Sequence, residues 1–512
     1  MTIDALPAEI LLEIFDFYRL DAVERSRGGR PWKWHRLAHV SQRWRHVVAL
    51  SPIRLDLRIL CKAGLGGATT IEPILDAWPT LPIVVRYKGC RNSKPRSGPG
   101  PGPGSANGPG PSPSPLPGNV VVALRRYAER VSEIDIGVTG WALETVVDAI
   151  RGGLTFPALE RVRMTSNDAN GLSVLPGPGA SGPARGGSPS PPSSGTGTFL
   201  GGETPRLRDL YLDGVVVPFP ELGRLVSSAR DLVELRLCNV TSAGYFSQEA
   251  LVDCLSALAR LRRLEVHFHS SASFPTPSVS TGPPPPAMRA ALPSLTFLAF
   301  HGACGYLEGL VSRIDFPSLT FVIIKFPNEF VFQIPQLCQF IARVDALKSP
   351  NEVVVKPSQD NASITLTQRG ERRRNLGELF LVISGGPLDW QLSSTTQIFT
   401  QLSPLLSGVK TLAIGKYPSS PVGEEYVDSE QWLELFRPFR RVWSVRVTER
   451  LVPDVALALG GVNDDMASGV LVLPALISLF LEGHRDYPSV QEAAERFVAQ
   501  RRLSGHHVSL LG

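Results

Sequence analysis

Apolar and polar positions follow two rhythms along this chain. Near its start, Ile10, Leu11, Ile14, Phe15 and Tyr18 recur at the i, i+3, i+4 spacing of one helical face, with Glu9 and Asp16 off the stripe. Between about Trp34 and Leu50 the pattern returns as Leu37, Val40, Trp44, Val47 and Val48, with Arg43, Arg45 and His46 on the other side. Pro7 opens the first helix, where its missing N–H costs nothing, and Ser51-Pro52 closes the second. Two such short helices cannot bury both stripes against each other, so apolar surface is left for a partner.

From Ile53 the rhythm shortens to the alternation of strands. A strand is expected over 53–60, a short helix over 70–78 and a second strand over 82–87. Past residue 119 a frame P-x-L-x-x-L-x-L then recurs, at Pro157–Met164, Pro205–Leu212, Pro293–Phe300, Pro317–Ile324 and Pro474–Leu481. Copies without the proline begin at Val131, Leu232, Leu261, Leu376, Val409 and Val442, and a weak copy sits at Val353 and Val355. Most steps are roughly 24 to 34 residues, enough for one strand and one helix per repeat. Helices are expected over 220–229, 248–261, 335–346, 395–406 and 429–436, with a capping helix over 490–503 and a terminal strand over 505–511.

Composition changes this picture in one respect. Gly (47) and Pro (45) cluster, with Ser, over 92–118 and near 175–204 and 270–287, and such segments cannot bury enough apolar surface to offset the entropy of ordering. They are read as disordered loops; the Pro283–Pro286 tract and the Ser-Pro pairs at 188–191 are read as spacer in preference to a polyproline II partner site and to phosphorylation sites.

Charge and cysteine usage narrow the function. The net charge of +5 is spread over 512 residues, and Glu371–Arg374 is a solvated turn, so no nucleic acid is expected. The six cysteines are scattered without a C-x-x-C pair, which points to a reduced, intracellular protein of the cytoplasm or nucleus. The apolar run 469–481 is too short to span a bilayer and contains Pro474, so no membrane is expected. Residues 64–70 are Gly-rich but lack the lysine of a phosphate loop, and His267, His269, His506 and His507 lack further ligands at metal spacing. The chain is therefore read as non-catalytic, without cofactor or metal.

Function is sought instead on the strands. Residues flanking the frame leucines alternate outward, which puts Tyr211, Arg236, Glu265, His267, Phe297, Phe321, Lys325 and Phe380 on one surface. Grouped aromatics at positions that ought to meet water mark a protein-binding face, the alternative being that a loop such as the Pro-rich insertion after Ser270 folds over and buries them.

Two resemblances follow from these residues. Leu6-Pro7-Ala8-Glu9-Ile10-Leu11-Leu12-Glu13-Ile14-Phe15, then Leu37-Ala38-His39-Val40-Ser41-Gln42-Arg43-Trp44-Arg45 and Leu50-Ser51-Pro52, resembles the F-box of mushroom-forming fungi, with an insertion over Leu20–Pro31 and Leu55 where an aromatic is often seen. The later frame resembles a degenerate leucine-rich repeat whose Asn ladder is replaced by Val215, Val240, His269 and Ala303. Together they imply an α/β architecture: a helical F-box over 1–55, a collar over 56–91, and a leucine-rich-repeat-like solenoid over 119–512, capped from about 485. They imply also a non-catalytic substrate receptor of a cullin-RING ubiquitin ligase. Its adaptor-binding residues, facing a Skp-type adaptor, would be Leu6, Pro7, Ile10, Leu11, Ile14, Val40, Trp44 and Val48, with Trp44 an anchor whose loss weakens docking while the solenoid stays folded. The solenoid would hold a protein substrate. The alternative is a repeat scaffold with no ligase, its head only an N-terminal cap.

Overall fold

In the computed structural model, the P-x-L-x-x-L-x-L frame folds as a tight turn followed by a strand. The backbone N–H of the frame's first leucine donates three residues back: Leu159 to Phe156, Leu207 to Thr204, Leu295 to Leu292, Leu319 to Phe316 and Leu476 to Leu473, at 3.1–3.3 Å. The proline is therefore the second residue of a β-turn, where its fixed φ is already correct. Frames without proline close the same turn, as at Leu232 N to Ala229 O (3.0 Å) and Leu261 N to Leu258 O (3.1 Å). In each proline frame all three apolar side chains are buried, and each contributes roughly 1.5–3 kcal/mol.

The structure describes residues 6–15, 40–50, 57–62, 71–88, 118–138, 140–151, 153–166, 198–269, 289–327, 329–358, 361–369, 375–384, 386–415, 428–448, 451–460, 472–482 and 488–511. The expected loops over 92–118 and 175–204, apart from Gly118 and residues 198–204, and the whole of 270–287, the Gly-rich stretch 64–70 and the basic turn 371–374 lie outside them. Two compact units divide the chain, residues 1–246 and 247–512.

The first unit opens with α1 (residues 8–15) and α2 (Gln42–Leu50). β1 (Leu57–Lys62), α3 (Glu72–Ala77), β2 (Ile83–Lys88), α4 (Gly118–Arg126), β3 (Val131–Val138), α5 (Gly140–Arg151), β4 (Arg161–Ser166), β5 (Asp209–Asp213), α6 (Phe219–Ser228) and β6 (Glu234–Val240) follow. The six strands pair in chain order, all parallel. β1 and β2, from the stretch expected as a collar, pair in parallel with each other and with β3 as the first strands of the same sheet. The insertion expected over 175–204 does not reach its end unfolded: Phe199, Leu200 and Thr204 are fully buried. Arg130 ties together α3 and the turn that leads into β2, its guanidinium donating to the carbonyls of Leu75 (3.0 Å), Leu81 (2.9 Å) and Trp78.

The second unit contains α7 (Gln248–Ser256), β7 (Arg263–Phe268), β8 (Ala290–Ala291), β9 (Phe297–His301), α8 (Cys304–Val311), β10 (Ile314–Asp315), β11 (Phe321–Pro327), α9 (Pro335–Arg343), β12 (Glu352–Pro357), β13 (Asn361–Arg369) and β14 (Asn375–Ser384). It continues through α10 (Leu388–Gln401), α11 (Ser403–Leu406), β15 (Thr411–Ile414), α12 (Ser429–Phe436), β16 (Ser444–Val447), α13 (Val452–Gly460), β17 (Ser478–Leu481), α14 (Pro488–Leu503) and β18 (Ser509–Leu511). Its main strands run β7-β9-β11-β14-β13-β12-β15-β16-β17-β18, parallel except that β13 is antiparallel to both β12 and β14. The weak frame at Val353 and Val355 is a true strand, but β13 was not expected. It changes the frame after it: β14 opens as a hairpin partner instead of a turn, so Leu376 falls on the outward side and is exposed, and Gly377 takes the inward place.

Polar side chains from one repeat close the backbone of the next. Gln401 Oε1 accepts from Ile334 N at 2.7 Å and Gln397 Oε1 from Phe332 N at 3.3 Å, so two glutamines one helical turn apart supply the partners that residues 330–334 would find in a sheet. Glu329 accepts from Cys304 N (2.8 Å) at the start of α8. Glu308 accepts from Gln336 N and Leu337 N (both 2.8 Å), two of the N–H groups that α9 cannot satisfy internally.

Burial outweighs those bonds and raises the Glu308 pKa above the ordinary carboxylate value. Between the two values the folded chain keeps a proton the unfolded chain has released, so ionisation of Glu308 subtracts stability as pH rises through that window. Glu308→Gln, uncharged with an acceptor retained, should flatten this fall in urea titrations run from acid to neutral pH. Glu308→Ala should cost about 1–2 kcal/mol at neutral pH, because it orphans both helix N–H groups.

Candidate protein-binding surfaces

The head is built by a cap and a ring pair. Ser41 precedes α2 and its Oγ accepts from Trp44 N at 3.2 Å, capping the helix, while the Trp44 indole lies inward. There it meets Phe15 of α1 with ring centroids 5.0 Å apart, and Leu11 and Val47 are buried too. Arg43 Nη2 donates to the carbonyl of Leu6 at 2.5 Å across the same pair of helices. Two expected docking residues are thereby corrected: Leu11 is fully buried and Trp44 only 5% exposed, so both belong to the core of the head and not to its surface. What remains outward is Ile10 (46% exposed), Ile14 (36%) and Val40 (55%), beside exposed Pro7 and half-buried Leu6. The side chain of Val48 lies outside the described residues.

In the first unit the strand register assembles a charged face. Arg86, Asp135, Arg163, Tyr211 and Arg236 stand side by side on consecutive strands, and Glu133, Arg161, Asp209 and Glu234 form the adjacent row. Arg86 pairs with Glu133 at 2.6 Å, Arg161 with Glu133 (3.4 Å) and Asp209 (3.2 Å), and Arg236 with Glu234. Arg163 stacks 5.2 Å from the Tyr211 ring centroid, and the Tyr211 hydroxyl donates to Asp213 Oδ2 at 3.0 Å. Burial and the Asp213 charge raise the Tyr211 pKa, so it stays a neutral donor. Burial and Glu234 raise Asp209. These residues line a shallow concavity of about 390 Å³. Tyr211 and Arg236 are where the alternation put them, but the charges of this face are largely matched by neighbours. The result is a polar surface with little net field, and each such exposed pair contributes only about 0–1 kcal/mol.

In the second unit the face differs in kind. One row reads Arg263, Phe297, Phe321, Glu378 and Thr367; the next Glu265, Ala299, Ile323, Phe380, Thr365 and Val354; the third His267, His301, Lys325, Val382, Ser363 and Lys356. The Arg263 guanidinium lies 3.7 Å over the Phe297 ring, which stacks on Phe321 at 5.4 Å and 17°. Arg263 also bonds Glu265, a residue that is only 8% exposed. Glu265, expected to meet a partner, is therefore corrected to a residue that holds Arg263 in place. Phe297, Phe321 and Phe380 are half-buried by their neighbours and Lys325 is exposed. His267 and His301 meet edge-on at 6.0 Å, and burial, His267 and Lys325 together lower the His301 pKa.

Ile323 and Val354 complete the apolar band and were not anticipated. For Ile323 the alternation through Phe321 and Lys325 already carried the signal; Val354 needed the pairing of β12 through β13. Among the described residues no helix is long and apolar enough to cross a membrane. No protein-family model matches this chain, and no curated protein matches it.

Proposed function

We propose that the chain is the substrate-recognition subunit of an SCF-type cullin-RING ubiquitin ligase, its head an F-box that docks a Skp-type adaptor and its strand faces, in a leucine-rich-repeat-like solenoid, holding a protein substrate. The observation that carries the reading is the exposure of Ile10, Ile14 and Val40 on a head whose core is already filled by Leu11, Phe15 and Trp44. Side chains of that size left in water beside Pro7 make a small apolar anchor set of the kind that concentrates interface energy. The receptor then acts by holding substrate near the transferring subunits, raising its effective concentration.

The test is capture of the purified full chain by the Skp-type adaptor, repeated with Ile10→Asp/Val40→Asp. Both side chains are exposed, so the head should keep its fold while affinity drops by about 2–4 kcal/mol. No capture of the unaltered chain, or equal capture of the variant, would overturn the docking surface. The second reading, a repeat scaffold without a ligase, draws on the burial of Leu11 and Trp44, which a simple N-terminal cap would need as well.

A further inference from the structure

The middle row of the second unit's face spans five adjacent strands and is apolar on four of them, Ala299, Ile323, Phe380 and Val354, with Thr365 between the last two. The row nearest the strand ends contains His267, His301, Lys325, Val382, Ser363 and Lys356, with no carboxylate among them, and both lysines are exposed. The acids of this face sit elsewhere: Glu265 is bound by Arg263 and Glu352 by Arg369 at 2.6 Å, while Glu378 stands in the far row. The surface thus pairs an apolar band with a basic border, and the two are one strand alternation apart, about 7 Å.

We propose that this face binds an acidic peptide segment in which a large apolar side chain and a carboxylate project about 7 Å apart, the first over Phe321, Ile323 and Phe380 and the second onto Lys325. This rests on the reading of the strand face as the substrate site, and specifies what the substrate must carry. Residues two apart in an extended peptide have that spacing. A carboxylate fits better than a phosphate, because the border has lysines and no arginine fork to grip a dianion bidentately. Nucleic acid fits worse still, since Glu378 and Glu352 in the far row would face its backbone. The chemistry also suits the rest of the band: Ala299 leaves a shallow step beside Ile323, and the Arg263–Phe297–Phe321 stack makes a rigid wall for the apolar group.

The probe is a displayed library of random linear peptides selected on the immobilised full chain. The most enriched peptide is then synthesised with its Asp or Glu intact or replaced by the amide, and titrated against the unaltered chain, Lys325→Glu and Ile323→Asp. Selected peptides should share an acid at that spacing from a Leu, Ile, Met or aromatic residue. The amide peptide, and the Lys325→Glu chain, should each bind at least about tenfold more weakly, and a peptide with Lys in place of the acid should recover binding to Lys325→Glu. Both substituted side chains lie on the outward face, and an unchanged melting temperature serves as the control for folding. No enrichment, enrichment without an acid, or a change below about twofold with Lys325→Glu would overturn the proposal. Adaptor capture is scored on the same preparation: capture without acidic-peptide binding refutes the peptide inference alone, and acidic-peptide binding without capture refutes the ligase reading alone.

Discussion

Trp44→Ala is expected to unfold the N-terminal head, at a cost of about 3–5 kcal/mol, the range for truncating a buried tryptophan. The indole is almost wholly enclosed and packs at a tilt against Phe15, so its removal leaves a cavity that two short helices cannot collapse to fill. Hydrogen exchange across residues 8–15 and 42–50 in the full chain should show protection lost there, and retained in the strands of both units. Adaptor capture should fail as well, but as a consequence of unfolding. A variant with a fully protected head and lost capture would return Trp44 to the docking surface, where the hydrophobic pattern and the F-box resemblance place it. Ile10→Asp/Val40→Asp gives the contrasting signature, with protection kept and capture lost.

Gly377→Ala should destabilise the second unit by about 3 kcal/mol, at the upper end of overpacking costs. A Cβ added at Gly377 would lie 2.0 Å from the carbonyl oxygen of Ala346 and 2.6 Å from its carbon. Those are backbone atoms, so no rotamer change relieves the clash, and β14 must move away from the turn after α9. Since β14 pairs with both β11 and β13, such a shift also strains two ladders. Urea unfolding of the full chain measures the loss, seen as a lower midpoint for the transition of this unit. A change of less than about 0.5 kcal/mol would mean that the strand is not held at this distance.

Most strands are legible in the sequence because each frame is a local code. Proline sets the turn, the next apolar residue is drawn inward, and the period of two fixes the faces of everything that follows. For the same reason the alternation alone places Tyr211, Arg236, His267, Phe297, Phe321, Lys325 and Phe380 on the outward side. Helix ends are less legible. The helix expected over 248–261 stops at Ser256, where the turn that starts the next strand takes over, and the one expected from 395 begins at Leu388.

What the amino-acid order determined by itself, then, is the alternation of turn, strand and helix, and which side of each strand faces the helices. Tertiary structure alone decided three things. The antiparallel β13 depends on a hairpin whose stability comes from strands far away in sequence, and it moved Leu376 outward by displacing the frame's turn. Burial of Glu265 depends on Arg263 reaching across its own strand to both a carboxylate and the Phe297 ring of the next. The division of the head's apolar residues into core (Leu11, Phe15, Trp44) and surface (Ile10, Ile14, Val40) depends on how two helices meet. A helix with apolar residues on a broad arc has no internal signal for which edge of that arc its neighbour will cover.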